Sequence, residues 1–173
     1  MGTTTGLSMS DRSTYQPDFE ATLERLRGAV TRMRDVDPLT TELMRLRGAA
    51  AHNCRKCKSL RNTAALAAGG SEELYDSIED YEHRDFPEEH RVALRLTDAI
   101  ITRPNDLDDA LVADVRRLFS SRQVVEMVAD VMCNSSQKVP VAFGFDEALV
   151  TEGYERYETA PDGTRTYLDR DGG

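Results

Sequence analysis

Cys54-Arg55-Lys56-Cys57 places two of the chain's three cysteines three positions apart. A thiol pair at that spacing can cycle between dithiol and disulfide, and on a helix the two side chains share a face. Arg61 falls one further turn along the same stripe. The thiolate is the reactive form of cysteine, and neighbouring cations or a helix N-terminus favour it. The setting is basic. Between Leu43 and Ser71 stand Arg45, Arg47, Arg55, Lys56, Lys58 and Arg61 with no acidic residue, giving +6 within a chain of net charge −9. Two of the three lysines flank Cys57. This crowding predicts a Cys57 thiol more acidic than the ~8.5 of a free one. A solvated basic helix face is the plainer reading of the same residues.

Zinc is the competing chemistry for a cysteine pair, but a structural zinc site needs four ligands. Cys133 is distant in sequence, and His52, His83 and His90 form no second ligand pair with suitable spacing. Cys133 reads as a small buried hydrophobe on a helix. His52 precedes Cys54 by two residues and would point elsewhere, while His83 and His90 sit in charged, solvated surroundings. Glu42 alone reads as a surface residue of a helix.

Helices must position these groups. Phe19, Leu23, Leu26, Val30 and Met33 recur at steps of four and three, one face of an amphipathic helix. Pro38 suits the first turn of a second helix, with Leu39, Leu43 and Leu46 facing inward. A third helix is expected from the first cysteine to Gly69-Gly70. Ser71 is a candidate N-cap ahead of Glu72 and Glu73. Phe86-Pro87-Glu88-Glu89 opens a long helix closed by Pro104, and Leu107, Leu111, Val115 and Leu118 mark another. Ser120 with Gln123 forms a capping-box pattern for a helix that Pro140 should kink or end. Only Val139 to Phe145 competes as strand. The expected fold is all-α, a compact domain of six or seven helices over residues 17–157, with a disordered tail at 1–16 and a polar tail at 158–173.

Length and composition bound the rest. A chain of 173 residues fits one domain with a sizeable core. The acidic balance argues against a general nucleic-acid binder. No apolar run reaches the ~18 residues of a membrane span, and Met1 to Gln16 lacks a signal-peptide core. A cytoplasmic protein is expected. In a reducing compartment a cysteine pair suggests redox chemistry or metal before a structural staple.

Glu42, eleven further residues and then Cys54-x-x-Cys57 resemble the alkylhydroperoxidase D-like branch of the carboxymuconolactone decarboxylase family. The resemblance extends to Pro87-Glu88-Glu89-His90-Arg91-Val92-Ala93-Leu94, to Ser120-Ser121-Arg122-Gln123-Val124-Val125-Glu126, to Asn134 and to Lys138-Val139-Pro140-Val141-Ala142-Phe143-Gly144-Phe145-Asp146. It covers roughly residues 19–148. It implies that Cys57 attacks a hydroperoxide, that Cys54 resolves the product as a disulfide, and that Glu42 is the site carboxylate, holding a proton or orienting Arg61. The family's two motif histidines are here Lys56 and Arg61. A guanidinium is no base near neutral pH, so both residues would hold the thiolate rather than shuttle protons. The resemblance implies no metal and no tightly bound organic cofactor. It implies a hydroperoxide or disulfide substrate, an external dithiol reductant and a homo-oligomer, trimer or hexamer. Two other readings stay open: a lyase acting on an anionic lactone, and a non-catalytic redox-sensing or structural member.

Overall fold

A computed structural model describes residues 17–169, so the expectation for 1–16 lies outside the described residues. Helix α1 spans Pro17–Thr31 and α2 Pro38–Ala51. The cysteine pair is carried by a four-residue α3, Arg55–Lys58, followed by strand β1 (Leu60–Asn62) and α4 (Thr63–Ala67). Next come α5 (Glu72–Asp76), a 3-10 segment (Ser77–His83), α6 (Glu88–Thr102) and a 3-10 turn (Pro104–Asp106). Helices α7 (Asp109–Leu118), α8 (Ser121–Ser135) and α9 (Lys138–Ala142) precede strands β2 (Glu155–Thr159) and β3 (Arg165–Tyr167). The fold is mainly helical, as the periodicity predicts.

The start signals act as expected. Pro38 opens α2 behind Asp37, whose carboxylate accepts from the Thr40 amide. Ser71 caps α5, and Ser120 with Gln123 closes a reciprocal capping box at α8. Helix α2 is the central helix. Leu39, Leu43, Leu46 and Leu94 pack with Tyr75, Ile78, Tyr81 and Phe86 on one side of it. Met44 joins Val92, Leu96, Val115, Phe119, Met127 and Val131 on the other. Packed on both sides, α2 buries Glu42 and Arg45 almost fully, and buried charges need partners.

Three expectations are corrected. The helix expected from Cys54 to Gly69-Gly70 is broken into α3, β1 and α4, because residues 60–62 pair with a strand from the far end of the sequence. Arg61 therefore sits on β1 and not one helical turn beyond Cys57. The helix expected to reach Pro140 already ends at Ser135, and Pro140 lies inside the separate helix Lys138–Ala142, so the stretch from Val139 that could have competed as strand does not form one. Finally, the stretch expected as a polar tail contributes a hairpin. Strand β2 crosses the boundary drawn at 157 and runs parallel to β1, in register Leu60 with Glu155 and Asn62 with Tyr157. Strand β3 returns antiparallel, Tyr157 opposite Tyr167. The hairpin turn uses Gly163 at φ +91, packed so closely on Gly28 of α1 that a Cβ would lie 2.8 Å from its Cα. Only glycine meets both demands.

Candidate active site

Helix α2 ends at Ala51 with His52 as its C-cap, and Asn53 turns the chain back with a left-handed φ of 53°. Cys54 then becomes the N-cap of α3. Its amide bonds the Ala49 carbonyl at 2.9 Å, which draws its side chain wholly inside. Cys54 and Cys57 form a disulfide with Cα atoms 5.3 Å apart, and the Cys57 amide donates to Cys54 Sγ at 3.2 Å. Cys57 is half-buried. The two cysteines thus differ in access, Cys57 being partly exposed and Cys54 fully buried.

Beneath the pair lies a buried ion pair, Glu42 with Arg45, one turn apart on α2. The contact is bidentate: Nε to Oε2 and Nη2 to Oε1, both at 2.7 Å. Arg45 spends further donors on the carbonyls of Cys57 (2.7 Å) and Leu60 (2.8 Å), while Glu42 accepts the Asn62 amide at 3.1 Å. Burial works against the Arg45 charge, but the adjacent Glu42 carboxylate more than offsets it and holds the guanidinium firmly protonated. The pair fastens both ends of the 57–62 segment to the central helix.

Glu42 therefore orients Arg45 and not Arg61. Arg61 is buried on β1 and pairs bidentately with Glu72 at 2.8 and 2.7 Å. It also donates to the Lys58 and Leu60 carbonyls, and its guanidinium lies 3.6 Å from the Tyr154 ring. These contacts account for all three of its nitrogens. The other two arginines of the basic segment are paired as well: Arg47 with Asp98, and Arg55 with Asp146. Sequence shows the cations because they are contiguous; it hides their partners because those come from 42, 72, 98 and 146. Lys56 and Lys58 stand beside Cys57, the former exposed and the latter bonded to Asn53 Oδ1 at 3.0 Å.

Asp146 is the other residue that sequence reasoning did not single out. It is buried and accepts the Arg55 amide at 2.8 Å, while its backbone carbonyl takes the Lys56 amide at 2.9 Å. Arg55 in turn holds its carboxyl below the usual carboxylate range. A carboxylate thus already occupies the positive end of α3. Its only sequence signal is its place in the exit segment after Gly144. Cys133 lies on α8 as a free, partly buried cysteine outside the disulfide, and burial together with Asp130 pushes its thiol pKa up. His83 is exposed and bonds Asp80, whereas His52 and His90 each keep one buried ring nitrogen without a hydrogen-bond partner among the described residues.

The same path of helices occurs in solved proteins. A protein of unknown function from Agrobacterium tumefaciens, described as a candidate antioxidant defence protein AhpD, superposes with a TM-score of 0.68 at 17% identity over 81% of this chain and 97% of its own. The fold is AhpD-like. The debrominase Bmp8, in complex with 2,3,4-tribromopyrrole, matches at 0.64 and 17% identity over 87% of this chain and 94% of its own. Two uncharacterized proteins of Mycobacterium tuberculosis, MT2376 and Rv2313c, are each 47% identical over 140 residues, or 80% of this chain. The AhpD-like chain spans about half of their length, 49%. No protein-family model matches the chain. Among the described residues no helix is long and apolar enough to cross a membrane.

Proposed function

We propose that this AhpD-like chain is a thiol–disulfide oxidoreductase that reduces hydroperoxides through Cys57 and Cys54. The observation that carries the reading is the disulfide itself, with one partly exposed and one fully buried cysteine. Cys57, as thiolate, attacks the terminal oxygen of a hydroperoxide. The O–O bond breaks, the alkoxide takes a proton and leaves as alcohol, and Cys57 becomes a sulfenic acid. Cys54 then attacks that sulfur, hydroxide leaves as water on protonation, and the disulfide forms. An external dithiol reduces it by exchange and is itself oxidised. Glu42 acts here as the anchor of Arg45, which sets the Cys57 carbonyl; Lys56 is the nearest exposed cation on α3.

The lyase reading is less favoured, since four of the six cations that would welcome an anionic lactone already hold carboxylates. The likeness to Bmp8 favours a second reading on the same pair, reductive debromination, in which the dithiol supplies two electrons and bromide leaves. Purified protein would be given cumene hydroperoxide or 2,3,4-tribromopyrrole with excess dithiothreitol, and substrate loss followed. Hydroperoxide consumption abolished in both Cys57→Ser and Cys54→Ser is expected. Turnover that survives both substitutions, or none with hydroperoxide, overturns the reading.

A further inference from the structure

We propose that the partly open cavity bordered by α1, α2, β1, α4, α8 and the C-terminal hairpin binds a small zwitterion of the α-amino-acid class with an apolar side chain. The cavity measures about 240 Å³. That is more than a single water needs, at ~30 Å³ each in the liquid, and enough for a small organic molecule. Cys54 and Cys57 do not line it, but it shares Glu42 and Arg45 with the redox site, Arg45 donating to the Cys57 carbonyl on the other side.

Its charges balance, but not all of them meet. Three carboxylates, Glu42, Glu126 and Asp130, and three guanidiniums, Arg34, Arg45 and Arg165, border it. Glu42 and Arg45 satisfy each other, Glu126 Oε2 accepts the Asp35 and Val36 amides, and Arg34, exposed at the rim, donates to the Met33 carbonyl at 3.4 Å. Asp130 has no hydrogen-bond or ion-pair partner among the described residues. Arg165 lies over the Tyr157 ring, 4.9 Å from its centroid, with no carboxylate bonded to it among those residues. The two opposite charges influence one another without touching, and burial with Glu126 nearby raises Asp130 to a pKa of about 7. Leaving such groups bordering one space unbridged forgoes charge-assisted hydrogen bonds.

A pure anion would face Asp130, and a pure cation would face Arg165. A molecule bearing both an ammonium and a carboxylate meets both groups. The wall formed by Val30, Met33 and Val36 supplies the apolar surface for its side chain, the usual mixture of a small-molecule site.

Calorimetric titration of the whole chain with L-alanine, L-valine, L-leucine and L-methionine tests this directly. At least one is expected to bind. For valine the two truncated probes, 3-methylbutanoate and 2-methylpropan-1-amine, remove one charge each, and each should bind at least tenfold more weakly than the best amino acid. Asp130→Asn and Arg165→Gln should each weaken binding at least tenfold. Arg165 is exposed, so its variant is expected to fold even if the other does not. Binding by none of the four amino acids, truncated probes that bind equally well, or an Arg165→Gln variant with unchanged affinity overturns the proposal. Hydroperoxide turnover is not a readout here, so this test stands or falls apart from that of the redox pair.

Discussion

Glu42 and Arg45 show how a charged residue survives inside a central helix. Each is almost fully buried, and each uses its partner plus backbone groups to replace lost water. Removing one member strands the other, which typically costs about 3–5 kcal/mol. The Glu42→Gln variant should therefore lose stability of that order in urea unfolding, even with Cys54–Cys57 oxidised. Asp130 yields a prediction of opposite character. Its folded pKa is raised above that of an unfolded aspartate, chiefly by burial, then by Glu126 and Glu42, with Arg165 and Arg45 opposing. The folded state then holds a proton that the unfolded state releases, so this contribution is intact below about pH 4 and fades as pH climbs toward 7. Asp130→Asn should melt higher than the native chain at pH 8, and the gap should close by pH 4.5. A constant gap across that range would show that Asp130 titrates normally.

Among the elements, α3 is the one that local sequence does not determine. Its four residues are too few to form a helix alone, since nucleation is costly, and it exists because Cys54 and Asp146 cap it. The long helices were legible from periodicity and caps, since Pro38, Ser71 and Ser120 act locally. The cysteine pair was legible as a motif, and the resemblance placed Glu42 beside it. The break after Ser59 was not, because its cause is a strand some 95 positions away. The arginine partners were invisible for the same reason. Asp146 also places negative charge at the N-terminal end of the short helix that carries Cys57. Asp146→Asn should lower the midpoint of thiol alkylation in the reduced protein by about one pH unit. An unchanged midpoint would mean that the Arg55 guanidinium already cancels its field.

At the scale of the whole molecule, the C-terminal hairpin is a structural wall of the site. Tyr157 is 2% exposed, opposite Asn62 in the sheet, and its ring carries Arg165. Truncating a buried aromatic to alanine costs about 3–5 kcal/mol. Tyr157→Ala should lose that much and also expose the Glu42–Arg45 pair to solvent. Faster proton exchange at the Asn62 amide would report the second effect separately from the first.

The parallel pairing of β1 with β2 also has a consequence in time. A ribosome makes Cys57 roughly a hundred residues before Tyr157, an interval of about 5–20 s at ordinary rates of synthesis. During it the 60–62 segment has no strand to pair with, Arg61 lacks the Tyr154 ring, and the closing of so long a loop still lies ahead. The nascent chain therefore passes through a period in which both thiols are present before their frame is complete. A premature stop after residue 150 would make that period permanent.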